Sequence, residues 1–233
     1  MNIFKFIKII RRAYLWVKIH FEKERLGYIG SNSIIEYPIH VESPKDVYLY
    51  ENARTRGNLR IINAPGEKVI IKKYSVIAGN VTICTNSHRS TVGIPQFLLG
   101  VSHINDKSAD ITIEEDVWIG ANATIMPGVS LGRGCIVATG AIVTKSVPPY
   151  ALVAGIPAKI IAKKFTLEDI LQHERLLYPE KERFSKEYLQ EVFNQYYQDK
   201  KVYGIRSELS VEEITLLNTL KKKLDYIDWN NEN

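Results

Sequence analysis

Aliphatic residues along this chain keep a six-residue beat. Ile113, Ile119, Ile125, Leu131, Val137 and Val143 fall six apart without a slip. Counting back from Ile113 in sixes lands on Ile83, Ile77, Ile71, Leu59, Val47, Val41, Ile35 and Ile29. A helix repeats near 3.6 residues and a strand near 2, so neither alone gives this period. Hexapeptide repeats mark a parallel β-helix. Three short strands make one triangular coil, and the aliphatic residue of each side points inward. The expected fold class is an all-β core built as a parallel β-helix, with α-helices at both ends.

The beat divides the 233 residues into three sections. Residues 1–25 read as an N-terminal amphipathic helix, 26–163 as the β-helix domain, and 164–233 as a helical extension. Small residues stand four after each aliphatic, at Val117, Ala123, Val129, Cys135, Ala141 and Val147, where a bulky group would not fit the turn. Glycines at 120, 128, 132, 134 and 140 are expected to supply the freedom that tight turns need. The beat vanishes between 86 and 110 in a polar stretch with Pro and Gly. A loop of that length on a rigid scaffold is commonly functional.

In the first section Lys5, Lys8, Arg11, Arg12 and Lys18 interrupt every apolar run, which excludes a membrane-spanning helix. No small-residue cleavage site of a secretory leader follows. On a helical wheel Ile3, Ile7, Ile10, Tyr14 and Val17 share one arc and the cations lie mostly opposite. That pattern suits a helix lying in a membrane interface. The alternative is a helix packed on the β-helix or on a neighbouring subunit.

In the last section Thr166–Asp169 and Ser210–Glu213 read as helix starts with capping boxes, and the apolar spacing beyond them is expected to serve packing or oligomer contacts. The formal charge of +5 favours anionic small molecules or an anionic membrane surface. No nucleic-acid-binding pattern is present, so no nucleic-acid partner is expected. The two cysteines, Cys84 and Cys135, fit neither a zinc pattern nor a disulfide framework.

Two strings say more than the fold. The first is Asn80-Val-Thr-Ile-Cys-Thr-Asn-Ser-His88; the second runs from Asp116 to Ile161. Together they resemble the hexapeptide-repeat acetyltransferases, within them the galactoside, maltose and xenobiotic branch, whose members include O-acetyltransferases of capsular polysaccharide and lipopolysaccharide. The resemblance implies a left-handed β-helix, a homotrimer, and acetyl-CoA as co-substrate lying in the groove between neighbouring prisms. It also implies that residues 86–110 form a loop helping to close that groove. No metal is expected.

Acetyl transfer to a hydroxyl is attack on a thioester, and the hydroxyl proton must go to a base as the bond forms. The resemblance assigns that base to His88. His103, in the same loop, is the rival base or an acceptor contact, and Asn80 a substrate-binding residue. Cys84 is treated as packing, because the resemblance gives no role to a thiol. Trp118 is expected to face outward and shape the donor groove. Ala121, Thr139 and Gly140 would offer backbone groups to the thioester and pantetheine arm. Lys145 and Lys159 would reach the coenzyme phosphates, with Lys163 assisting. Val137-Ala-Thr-Gly140 departs from the family's usual Ile-Gly-Ala-Gly at this groove.

The expected function is an acetyl-CoA-dependent O-acetyltransferase acting on a cell-envelope glycan or its lipid-linked precursor. It would be cytoplasmic, resting on the inner face of the cytoplasmic membrane through residues 1–21. The alternatives are a transferase for a small soluble acceptor (a free sugar, an antibiotic or an amino-sugar nucleotide) and a non-catalytic trimeric scaffold. A γ-type carbonic anhydrase would need three converging histidines, and no third histidine stands in the later coils.

Overall fold

A computed structural model describes residues 3, 5, 7, 9–14, 26–224 and 226. From Tyr28 onward the chain winds as a three-sided parallel β-helix. The first face stacks Tyr28–Ile29, Val47–Leu49, Val69–Ile71, Ile111–Ile113 and Ser130–Leu131. The second stacks Ile34–Ile35, Arg54–Thr55, Val76–Ile77, Trp118–Ile119, Ile136–Val137 and Ala151–Ala154. The third carries Ile39–Val41, Leu59–Ile62, Thr82–Cys84, Thr124–Ile125 and Ile142–Val143. Pairings along each face are parallel, so equivalent residues lie directly above one another, as in Ile71↔Ile113↔Leu131.

The six-residue beat is the core. Ile77, Ile83, Ile113, Ile119, Ile125, Leu131 and Val137 are fully buried. So are Ala123, Cys135 and Ala141 at the small positions, and burial pushes the Cys135 thiol well above its usual range. In the weaker early coils the inward set slides, so that both Leu59 and Ile61 are buried while Ile29 and Ile35 are only partly so. A four-residue strand, Leu59–Ile62, absorbs the difference.

Corner turns use left-handed backbone in register. Asn58, Asn80, Asn122 and Gly140, with φ of 63°, 62°, 59° and 72°, stack on the corner between the second and third faces. Asparagine tolerates this conformation better than other non-glycine residues. Gly120 corrects the expectation that every repeat glycine supplies turn freedom. It is not among the residues with positive φ. Instead a Cβ there would stand 2.5 Å from Thr139 N in the next coil. Close approach between coils demands that glycine.

The loop expected over 86–110 is a built element. Asn86–Ser87 pairs antiparallel with Lys107–Ser108, and the stem encloses helix α1, Gln96–Ser102, anchored by the buried Leu99. After Ala151–Ala154 the strand Lys159–Lys163 returns antiparallel against it. The extension is not purely helical: Lys201–Val202 adds a strand beside Lys159–Lys163.

Helix α2 (Leu167–Leu177) docks through a buried polar network, and α3 (Lys186–Tyr196) packs its buried Leu189 in a cluster with Tyr150 and Ile170. The Arg133 guanidinium lies 4.2 Å from the Tyr178 ring centroid and 4.4 Å from that of Phe184. It donates to Glu115 at 3.1 Å and Glu174 at 2.9 Å. The Tyr150 hydroxyl donates to Glu174 at 2.5 Å. Helix α4 (Val211–Lys223) starts with the expected Ser210/Glu213 capping box, yet none of its residues is buried in the single chain. Among the described residues nothing buries its apolar side.

The described residues of the N-terminal segment, 3, 5, 7 and 9–14, are helical and exposed. Ile3, Ile7, Ile10 and Tyr14 all lie open, so this part of the helix does not lay its apolar face on its own β-helix. Lys8, Trp16, Val17, Lys18 and His20 lie outside the described residues. Among those described, no helix is long and apolar enough to cross a membrane.

Candidate active site

The spacing Ile83-x-Thr85-x-x-His88 has a structural cause. Ile83 ends the core of its coil. Thr85, also fully buried, closes the loop at its root: its N–H donates to Ile62 O at 3.0 Å and its carbonyl accepts from Ala109 N at 2.9 Å. Its hydroxyl donates to the Glu67 carboxylate. The two stem pairs follow, and His88 is the first residue beyond them.

Stem register sets Ser87 opposite Lys107, which carries Asp106 to His88. The His88 imidazole donates from Nδ1 to Asp106 Oδ1 at 2.9 Å. The other carboxylate oxygen accepts from His103 Nδ1, also at 2.9 Å. The hydrogen bonds from His103 and His88 hold the Asp106 carboxyl below the usual carboxylate range. An ionised carboxylate only accepts, so both histidines must carry their proton on Nδ1. In a neutral His88 that leaves the Nε2 lone pair free. Nε2 lies beside Gly100 of α1, 3.9 Å from where a Cβ would stand. The His88 side chain keeps 41% of its surface exposed. This is the arrangement a general base requires: one ring nitrogen oriented, the other open.

Asp106 was not legible in the sequence. No motif distinguishes it from other acidic residues, and only the stem register brings position 106 to position 88. The donor atoms of His88, His103 and Asp106 lie within 4.8 Å of one another, close enough to ligate a divalent ion. The Cys84 thiol donates to Asn86 O at 3.0 Å, a packing role.

The donor-side residues lie elsewhere on the prism. Trp118 is on the second face with its side chain outward and 48% exposed, stacked between Val76 and Ile136. Ala121 and Thr139 follow on the second–third corner. Among the described residues neither backbone N–H has an acceptor, whereas Gly140 N–H is used, donating to Ala121 O at 2.9 Å. Lys145 and Lys159 are exposed. Lys163 is half-buried, and its ammonium donates one bond to Tyr197 O at 3.2 Å and lies over the Phe193 ring. Asn80 occupies a left-handed turn at the start of the third face, whereas His88 lies beyond its end. Two free amides, an outward indole and exposed cations fit a thioester with an anionic tail.

Residues 110–145 match the family described as hexapeptide repeat of succinyl-transferase. A Saccharomyces cerevisiae protein that carries an acetyltransferase name is 33% identical over 141 residues, spanning 60% of this chain and 68% of that one. The chain belongs to the hexapeptide-repeat acetyltransferases. The galactoside O-acetyltransferase of Escherichia coli K12 is 32% identical over 145 residues, 60% of this chain and 64% of that protein. The chain thus spans about two thirds of the length of these curated relatives. The hexapeptide-repeat acetyltransferase of Vibrio cholerae complexed with acetyl-CoA matches with a TM-score of 0.56 and 27% identity, over 64% of this chain and 76% of that one. Membership gives this acetyltransferase its reaction class, acetyl-CoA-dependent acyl transfer.

Proposed function

We propose that this acetyltransferase moves an acetyl group from acetyl-CoA to a hydroxyl of a cell-envelope glycan or its lipid-linked precursor, with His88 as general base. The carrying observation is the Asp106–His88 bond at 2.9 Å, which fixes the tautomer and leaves Nε2 open. Acetyl-CoA supplies a thioester carbonyl that a hydroxyl can attack. His88 takes the hydroxyl proton at Nε2 as the oxygen adds, and returns it to the departing thiolate. Asp106 is a positioning residue: it holds the ring and stabilises the imidazolium between those steps. The Ala121 N–H is the donor for the negative oxygen.

His88 rises from the third–first corner, while Trp118, Ala121 and Thr139 belong to the second face and the second–third corner. One chain therefore divides base and donor groove between separate edges. A left-handed homotrimer that sets one subunit's loop against its neighbour's groove joins them, with Lys145 and Lys159 toward the phosphates.

A lipid-linked acceptor follows from the N-terminal helix. Exposed Ile3, Ile7, Ile10 and Tyr14 lie on one side and Lys5 and Arg12 on the other, which suits an anionic membrane surface on the cytoplasmic side. The deciding experiment follows thiol release from acetyl-CoA with glycan acceptors. His88→Ala should lose roughly 10²–10⁴-fold in kcat. Unchanged turnover in the folded variant would overturn His88 as the base, and no thiol release by the wild type with any acceptor would leave the scaffold reading in its place.

A further inference from the structure

A cleft of about 630 Å³ opens beside the histidine pair, and it is accounted for by neither the base nor the donor groove. His103 and Asp106 form one wall. The floor is the third–first corner of three successive coils: Glu42 after Ile39–Val41, Asn63 after Leu59–Ile62, and Asn86 after Thr82–Cys84. Coils repeat at the strand spacing, so the cleft runs about 10 Å from the loop toward the first coil. Its size falls in the range of pockets that hold drug-sized ligands.

Some of its polar groups are already engaged. Asn63 accepts from Ser43 N at 3.0 Å and donates to Ser43 O at 2.9 Å, so it is a wall. Among the described residues the Glu42 carboxylate, the Asn86 amide and the Ser108 hydroxyl have no protein partner, and all three line the cleft. A carboxylate, an amide and a hydroxyl satisfy sugar hydroxyls as donors and acceptors. No lysine or arginine lines the cleft, and it contains two carboxylates, Glu42 and Asp106. A phosphate or uronate placed there would meet like charge.

We propose that this cleft is an acceptor subsite for the neighbouring sugar rings of a neutral oligosaccharide, so that the enzyme acetylates a chain of two or more rings and not a free sugar or a nucleotide sugar. The inference rests on the glycan reading above and narrows it. The ring bearing the reactive hydroxyl sits at His88 Nε2, and the next rings extend over Asn86 toward Glu42. Glu42 belongs to the first coil, which directly follows the N-terminal segment. A glycan lying in the cleft therefore extends toward the end of the prism that carries the exposed amphipathic helix.

The test uses the full-length protein and acetyl-CoA on a panel of neutral monosaccharides, neutral oligosaccharides, acidic oligosaccharides, UDP-sugars and chloramphenicol. Neutral oligosaccharides should be acetylated with kcat/KM about tenfold or more above the matching monosaccharides, the worth of one or two net hydrogen bonds. Glu42→Ala and Ser108→Ala should erode that preference by raising oligosaccharide KM. Equal use of short and long acceptors, or preference for acidic oligosaccharides, overturns the subsite and leaves the glycan reading standing, whereas preference for UDP-sugars overturns both. Transfer to chloramphenicol alone overturns both. In the His88→Ala protein, neutral oligosaccharides should shift the Asn86 and Asn105 side-chain amide NMR signals; unmoved signals overturn the subsite whatever the turnover.

Discussion

Asp106 and His88, eighteen residues apart, meet at 2.9 Å because a two-pair stem folds the loop back on itself. The same carboxylate also holds His103, whose ring centroid lies 5.4 Å from that of His88. One acidic side chain thus organises two imidazoles, and Gly100 flanks the open nitrogen of one of them.

The three residues should separate by kinetics. His88→Ala is expected to cost the most. Asp106→Asn, which loses the charge-assisted bond that fixes the tautomer, should lower kcat by about 10- to 100-fold. His103→Ala should cost less than tenfold. A chelator should leave all rates unchanged, since no step of the proposed mechanism passes through a metal. Thiol-release assays check each; a His103 variant slower than the His88 variant would reverse the assignment of the base.

Arg133→Met should unfasten the C-terminal helices. Removing the guanidinium leaves Glu115 and Glu174 buried without their shared cation. Breaking a buried pair from one side costs about 3–5 kcal/mol. Urea unfolding of the variant should show a lower midpoint, and limited proteolysis should cut the extension sooner. An unchanged midpoint would mean the network is incidental.

Acid should act on a second contact. Asp116 accepts from Lys164 at 2.6 Å and from His173 at 3.3 Å. Burial works against its charge, but the hydrogen bond from His173 and the Lys164 ammonium prevail and hold its carboxyl below the usual range. A depressed carboxyl stabilises the fold above its unfolded value, near 3.9. That stability is lost as pH falls through the lower folded value. Circular dichroism should therefore find wild-type docking intact at pH 5 and failing below about pH 4. In Asp116→Asn the acid transition should be blunted; an identical transition in both proteins would count against this contact.

Membrane contact is open to a direct trial. Replacing Lys5, Arg11 and Arg12 with alanine should lower binding to anionic vesicles on the order of 100-fold, at about 1 kcal/mol for each cation near the surface. Co-sedimentation measures it. Equal binding by both proteins, or none by the wild type, would remove the helix from the acceptor argument.

The sequence by itself determined the prism, because a six-residue period of inward aliphatics has one economical solution, and Ile77, Ile83 and the series from Ile113 to Val143 are all buried on it. It also marked His88, since the Ile83–Thr85–His88 spacing is local: a core residue, an anchor and the first position past the stem. What only the tertiary structure decided is non-local. Asp106 depends on stem register, the cleft on the stacking of corners from three coils, and the hydrogen bond of Lys163 on where Tyr197 comes to rest. Gly120 shows the same division: its identity is written in the chain, but its cause is the backbone of the next coil. Periodicity reports which way a side chain points along its own strand, whereas these relationships arise between segments that only the winding of the coils brings together.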